Sequence, residues 1–115
     1  MLTRSYAPYS TFHVGCAILT EAGNTYTGCN VENASYGLTI CAERSAISAA
    51  VAAEGPAMQL RAVVVLNSQA VACSPCGACR QVIFEFGPKA IVIYQAHGGL
   101  AEATAEQLLP AGFHL

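Results

Sequence analysis

The sequence is poor in charge: Asp, Glu, Lys and Arg make up 10% of its 115 residues, against about a quarter in a typical soluble domain. Five basic residues stand against seven acidic ones, and no Lys/Arg cluster is present to follow a phosphate backbone. This argues against nucleic-acid binding and favours a small ligand of little charge. The chain also lacks an apolar run of the roughly 20 residues that a membrane span needs.

The first residues, Met1-Leu2-Thr3-Arg4, lack the apolar stretch of a signal peptide, so we expect a cytoplasmic protein. In a reducing compartment, clustered cysteines are expected to be metal ligands or catalytic thiols rather than a disulfide scaffold, whereas Cys16 and Cys29 fall in predicted strands and are expected to be core residues. Because 54% of the residues are hydrophobic, a monomer would expose apolar surface, which predicts a symmetric homo-oligomer. The length predicts a single domain over residues 1–115.

Hydrophobic runs and turn signals predict alternating strands and helices. The strands are predicted at residues 14–20, 25–31, 61–66 and 90–94. The helices are predicted at residues 40–53, 75–86 and 103–109. The order β-β-α-β-α-β-α indicates an α/β fold with a mixed sheet and helices packed on it.

Two predicted helices begin with cysteine motifs, Cys41-Ala42-Glu43 and Pro75-Cys76-Gly77-Ala78-Cys79. Cys76 and Cys79 are three residues apart and share a helix face. Helix N-termini stabilise thiolates, so Cys41, Cys76 and Cys79 could converge on one Zn²⁺. Three protein ligands leave a fourth position for water, which is the pattern of a catalytic zinc site.

Glu43 fits this interpretation only because it lies in the first turn of its helix. In mid-helix, Cys41 and Glu43 would point about 200° apart around the axis. At the helix start both side chains can reach a site beyond the end, where a carboxylate can transfer protons. Arg44 and Arg80 lie beside the ligand cysteines and could offset the thiolate charge. Ordinary ion pairs at the surface or an interface are the alternative for both arginines.

These motifs resemble those of the zinc nucleoside deaminases. Tyr6-Ala7-Pro8-Tyr9-Ser10 and the run Asn30 to Tyr36 resemble the small cytidine deaminases in particular, and the resemblance covers nearly the whole chain. It implies a three-layer α-β-α fold with a roughly five-stranded mixed sheet and one zinc ion per subunit. It also implies hydrolytic deamination of cytidine or deoxycytidine, with release of ammonia, in pyrimidine salvage.

The resemblance further assigns roles around the substrate. It implies that Glu43 moves protons to N3 and to the departing amine. It implies that Asn30 and Glu32 bind the ribose 3′-hydroxyl, that the backbone of Ala42 faces the base, and that Phe12 packs against the base.

The same resemblance implies a homotetramer in which Tyr36 and Phe113 reach into a neighbour's site. Members of that family usually carry a helix before the segment that begins at Tyr6, and here five residues precede it. One face of the sheet is therefore expected to be uncovered, or covered by a partner.

Alternatives remain open at this point. Cys73 could be a fourth ligand, which would give a closed structural zinc site and a non-enzymatic interaction module. Cys76 and Cys79 could form a thioredoxin-like redox pair. A related enzymatic hypothesis is the deamination of another cytosine compound, such as an N4-substituted cytidine or blasticidin S.

Overall fold

The computed structural model describes residues 1–115, and its strands form one sheet in the order β2-β1-β3-β4-β5. The strands are β1 (Val14–Thr20), β2 (Thr25–Cys29), β3 (Leu60–Asn67), β4 (Ile91–Ala96) and β5 (Gly99–Thr104). Strands β3 and β4 are parallel, and every other neighbouring pair is antiparallel. The prediction of an α/β fold with a mixed five-stranded sheet is confirmed.

Three helices accompany the sheet: α1 (Ala42–Glu54), α2 (Gly77–Phe86) and α3 (Ala105–Leu108). A short 3₁₀ turn, Tyr36–Leu38, interrupts the predicted loop before α1. Helix α1 ends at Gly55, whose φ of 86° lies in the left-handed region that glycine adopts at little cost. The longest helix has 13 residues, and none has the length and apolarity needed to cross a bilayer.

The core lies between one face of the sheet and helices α1 and α2. Alternate strand residues point toward it, as the period of two requires. Its buried members from strands and helices include Cys16, Ile18, Val63, Val65, Val92, Ala46, Ile47, Ala50 and Ile83. Helix α1 lies very close to β2: a Cβ atom added at Gly28 would lie 2.5 Å from the carbonyl oxygen of Ala42. This contact fixes the position of the first turn of α1.

The opposite face of the sheet has no helix in this chain. Helices α1 and α2 contact each other on the core side, and α3 contacts α2 and β5. On the other face Ala17, Leu66 and Ile91 are exposed, and only the first residues of the chain approach Gly15. The chain therefore supplies the sheet and one helical layer, and the second helical layer of the predicted three-layer α-β-α arrangement is not formed by these residues.

The last predicted helix differs from the structure at its start. Residues 99–104 form β5 along β4, and α3 begins at Ala105 instead of residue 103. Thr104 caps this helix: its side chain accepts a hydrogen bond from the Gln107 N–H, and the Gln107 side chain accepts one from the Thr104 N–H. Ala103 pairs with Val92 and Thr104 with Ile91, and this pairing outweighs the helix propensity of Ala103, a tertiary effect that local sequence does not carry.

Candidate metal centre and active-site cavity

Two helix N-termini bring three cysteines together. Cys41 is the N-cap of α1, Cys76 is the N-cap of α2, and Cys79 lies in the first turn of α2. Their three Sγ atoms all lie within 4.8 Å of one another, and those of Cys41 and Cys76 are 4.0 Å apart. The cluster thus joins Cys41 to Cys76, 35 positions later in the chain, and to Cys79 in the same motif.

The cluster fits a zinc ion. Thiolates around a tetrahedral zinc, with Zn–S bonds of about 2.3 Å, lie roughly 3.8 Å from one another. Thiolates are also the soft donors that zinc accepts. Cys73 is not part of the cluster; its Sγ contacts the carbonyl oxygen of Ser74 at 3.9 Å. The closed four-cysteine alternative is therefore not formed, and three ligands leave one position open.

The surroundings of the cluster favour a thiolate at Cys41. A hydrogen bond from the Cys79 thiol, aided by Arg44, lowers the pKa of Cys41 to about 5. Nη2 of Arg44 donates to Cys41 Sγ at 3.3 Å. Arg44 is thus where the sequence analysis expected a cation beside the ligands.

Glu43 lies in the first turn of α1 and is 4% exposed. It lines the same cavity as Cys41 and Cys76. Burial raises the pKa of Glu43 above the usual range of a glutamate. A carboxyl group whose pKa is moved toward neutrality is suited to accept and return a proton.

The cavity beside the cluster has a volume of about 220 Å³. Strand ends, helix starts and loops supply its walls, which are mostly apolar with a few polar groups, as in many small-molecule sites. Its lining comprises Phe12, Val14, Asn30, Thr39, Cys41, Ala42, Glu43, Val65, Leu66, Asn67, Cys73, Ser74 and Cys76. Of the predicted substrate-binding residues, the structure places Phe12, Asn30 and Ala42 here.

Asn67 and Thr39 are polar lining residues that the sequence analysis did not single out. Asn67 is the last residue of β3 and Thr39 lies two residues before Cys41. Ligands often bind at the carboxyl ends of parallel strands, so the position of Asn67 at the end of a predicted strand could have indicated a role in the site.

Asn30 and Glu32 bind the segment before β1. The Asn30 amide accepts from the Val14 N–H at 2.9 Å and donates to the Phe12 carbonyl at 2.8 Å. Glu32 does not line the cavity; its carboxylate accepts from the backbone N–H groups of Tyr9 and Ser10 and from the Ser10 hydroxyl. These hydrogen bonds lower the pKa of Glu32, and the bond from the Ser10 hydroxyl has the largest effect. In this chain taken alone, Glu32 holds a turn.

Tyr36 and Phe113 also lie outside the cavity. Tyr36 is 75% exposed and meets the ring of Tyr9 edge-on, with ring centroids 6.2 Å apart. Phe113 is 69% exposed, and its carbonyl accepts a hydrogen bond from the Gln81 side chain at 3.0 Å. Within one chain, therefore, neither aromatic side chain completes the site.

Arg80 makes no hydrogen bond to the cysteines. Its guanidinium donates to the carbonyls of Pro75 and Leu108, at 2.7 and 3.0 Å, and to the Ser74 hydroxyl at 2.7 Å. The thiolate contact expected of both arginines is made by Arg44 only. Arg80 instead ties the segment that precedes Cys76 to the end of α3.

Comparison with known proteins identifies the fold and this cysteine cluster. Residues 1–95 match the family model of the cytidine and deoxycytidylate deaminase zinc-binding region. The chain belongs to this deaminase family. Its cysteine triad could hold the zinc ion that the family binds.

Individual deaminases are similar over nearly the whole chain. A cytidine deaminase of Sporosarcina psychrophila is 45% identical over 96% of this chain and 81% of its own. The crystal structure of a Burkholderia pseudomallei cytidine deaminase superposes with a TM-score of 0.88 at 44% identity, over 97% of this chain and 90% of that one. A blasticidin-S deaminase of Bacillus cereus is 31% identical, over 85% and 74% of the two chains.

Proposed function

We propose that this chain catalyses the hydrolytic deamination of cytidine or deoxycytidine, giving the uracil nucleoside and ammonia. The observation that carries this proposal is the meeting of three cysteine Sγ atoms and the buried Glu43 at one cavity. Membership of the deaminase family gives that arrangement its chemistry. The cavity has the apolar walls that a flat base needs.

In this mechanism Cys41, Cys76 and Cys79 hold zinc, which supplies Lewis-acid activation of a water molecule when bound. Arg44 donates to the Cys41 sulfur and withdraws part of the thiolate charge. The Glu43 carboxylate takes a proton from the attacking water and delivers it to N3 of the pyrimidine. After oxygen has added at C4, the Glu43 carboxylate takes the proton of the new C4 hydroxyl and passes it to the amino group; the C4–N bond then breaks, leaving the C4 carbonyl and releasing ammonia.

The substrate is held by the cavity wall. Phe12 packs against the base, and the backbone of Ala42 faces it. Asn30 lines the cavity and has one amide hydrogen free beyond its bond to Phe12, so it can meet the ribose. Glu32 supports the sugar end by holding the turn at Tyr9 and Ser10, and its Oε2 atom, which accepts one hydrogen bond, has a further lone pair for the 3′-hydroxyl.

We propose that the active form is a homotetramer. A contiguous apolar surface supports this: backbone bridges join Tyr6 to Val31 and Val31 to Ile40, and all three side chains are exposed. Patches of this kind commonly mark protein interfaces. The exposed side chains of Tyr36 and Phe113 are then free to enter a neighbour's site. We also propose a cytoplasmic location, where the thiolates stay reduced, and a role in pyrimidine salvage, which rests on the proposed reaction alone.

Absorbance of the zinc-loaded protein with candidate substrates tests the proposed reaction. Cytidine, deoxycytidine, an N4-substituted cytidine, blasticidin S and a cytosine-containing oligonucleotide form the panel. We expect turnover of the free nucleosides and none of the oligonucleotide. Faster turnover of blasticidin S than of cytidine would favour the related activity, and a zinc-loaded protein inert toward the whole panel would favour an interaction module.

A further inference from the structure

Asn67 is a buried polar residue of the cavity wall whose side chain bonds only to backbone. It is 6% exposed and ends strand β3. Its amide oxygen accepts from the N–H groups of Gln69 and Val71, at 3.1 and 3.2 Å. Its amide nitrogen donates to the Val71 carbonyl at 2.9 Å. One side chain thus makes three hydrogen bonds to the turn of residues 68–71.

That turn needs external support. Ala70 has a φ of 52°, in the left-handed region that residues other than glycine, asparagine and aspartate seldom adopt. The alanine side chain has no polar group with which to stabilise this conformation itself. The bonds from Asn67 on both sides of Ala70 therefore hold it in place.

The turn is also tied to the segment that carries Phe12. The Ser68 N–H donates to the His13 carbonyl at 2.8 Å, and the His13 N–H donates to the Ser68 hydroxyl at 3.3 Å. His13 directly follows Phe12. A second strained residue, Thr11 with a φ of 57°, precedes Phe12. The segment that carries Phe12 is thus bonded to the turn of residues 68–71, in addition to its bond to Asn30.

We propose that Asn67 is a positioning residue for the substrate: by holding the turn of residues 68–71 it fixes, through Ser68 and His13, the place of Phe12 in the cavity wall. It touches no reacting group. The choice of substrate rests on the proposed function, but the link from Asn67 to Phe12 does not. Glu43 and the three cysteines sit on α1 and α2, so loss of Asn67 should weaken substrate binding more than turnover.

Steady-state kinetics of zinc-loaded variants with cytidine test the proposal. Asn67→Ala should raise KM by about tenfold and change kcat by less than about threefold, the effect of roughly one net hydrogen bond. Asn67→Asp keeps the oxygen that accepts from Gln69 and Val71, so its KM should rise by only about threefold. Adding Ala70→Gly to Asn67→Ala should recover part of the loss, because glycine adopts the left-handed conformation without support.

Asn24→Ala is the matched control. The Asn24 side chain also bonds to a neighbouring group, Glu54, but lies at the β1–β2 turn and outside the cavity. It should lower stability and leave KM within about twofold of wild type, as expected for a remote site. A KM rise in this control equal to that of Asn67→Ala would overturn the proposal, since general loosening would then explain both.

Hydrogen–deuterium exchange measures the link without any substrate. Asn67→Ala should speed exchange in peptides covering residues 68–71 and also in those covering residues 11–14. Faster exchange confined to residues 68–71, or a KM within twofold of wild type, would refute the inference. If wild-type protein does not deaminate cytidine, the proposed function fails, and exchange alone decides about Asn67. If Asn67→Ala does not fold, Asn67→Asp decides. A threefold rise in its KM and faster exchange at residues 11–14 support the inference, and a wild-type KM and wild-type exchange contradict it.

Discussion

Glu43 unites two properties that conflict in most carboxylates, burial and access to a reacting group. It is 4% exposed, and burial raises its pKa, yet its side chain lines the cavity beside Cys41 and Cys76. The first turn of α1 reconciles the two because its side chains project past the helix end. The same turn brings the Arg44 guanidinium against the Cys41 sulfur.

Glu43→Gln should keep fold and zinc but lose nearly all turnover. The amide has a similar shape but cannot accept and return a proton, and general acid–base groups contribute about 10²–10⁴-fold. Circular dichroism and metal analysis check fold and zinc, and the nucleoside assay checks the rate. If the variant retained more than about a tenth of the wild-type rate, Glu43 would not be the group that transfers protons.

Zinc content separates the ligand cysteines from Cys73. Cys76→Ser removes a thiolate of the cluster and should abolish stoichiometric zinc, because a serine hydroxyl is a poor ligand for this ion. Cys73→Ser changes a sulfur outside the cluster and should retain one zinc per subunit. Elemental analysis after dialysis gives the result. Loss of zinc from Cys73→Ser would indicate that Cys73 is a fourth zinc ligand.

At the scale of elements, the close approach of α1 to β2 aligns the site. Gly28 leaves room for the α1 backbone, and no larger residue fits there without movement. The starts of α1 and α2 then meet, and their unpaired N–H groups favour thiolates at both ends. The sequence predicted the starts of α1, α2 and α3 two residues early, at 40, 75 and 103, a small error because caps and turn signals are local. It could not predict β5, whose formation depends on pairing with β4.

Gly28→Ala should destabilise the protein by about 1–3 kcal/mol, as overpacked sites do, and should lower activity by displacing the first turn of α1. The new methyl group would lie 2.5 Å from the Ala42 carbonyl oxygen. Urea unfolding and the nucleoside assay measure both effects. Gly37→Ala, where nothing lies within 4 Å of the added atom, is the matched control and should be nearly neutral.

Glu54 joins the end of α1 to the β1–β2 hairpin. The Thr20 hydroxyl, the Asn24 amide and the Tyr26 hydroxyl all donate to its Oε2 atom, at 2.8, 2.9 and 3.1 Å. These hydrogen bonds lower the pKa of Glu54, and the bond from Asn24 has the largest effect. Because the folded-state pKa is the lower one, the carboxylate stabilises the fold above its unfolded pKa, and this is lost as pH falls through the folded pKa.

Glu54→Gln should therefore lower the urea midpoint at pH 7, and its difference from wild type should narrow as the pH falls below about 4. Glu21→Gln is the control: Glu21 pairs with Arg61 at an exposed site, where an ion pair contributes little. Urea titrations at several pH values give the comparison. A difference that widened toward acid pH would contradict this account of Glu54.

At the scale of the whole molecule, one chain leaves much apolar surface open. Exposed apolar side chains lie on the uncovered face of the sheet, at Leu66 and Ile91, and in the patch around Val31 and Ile40. Tyr36 and Phe113 project from the surface instead of into the cavity of their own chain. The proposed association of several copies would cover such surfaces.

Phe113→Ala should raise KM in the assembled enzyme if this ring enters a neighbour's site, and activity of the wild type should fall when dilution dissociates the assembly. Sedimentation and activity measured over the same dilution series test this. The matched control is Leu100→Ala, another exposed apolar side chain, on the edge strand β5. A fully active monomer would show that each site is built from one chain.

The sequence by itself determined which cysteines could hold zinc and predicted the role of Glu43: Cys41, Cys76, Cys79 and Glu43 stand in short motifs at helix starts, where a few neighbouring residues set the local geometry. It also determined the family, and with it the mixed sheet. Only the tertiary structure decided that Glu32 holds the turn at Tyr9 and Ser10, that Arg80 bonds away from the thiolates, and that Asn67 supports the cavity wall. Those contacts join residues that strand pairing and helix packing bring together, and such long-range geometry leaves no local pattern to interpret.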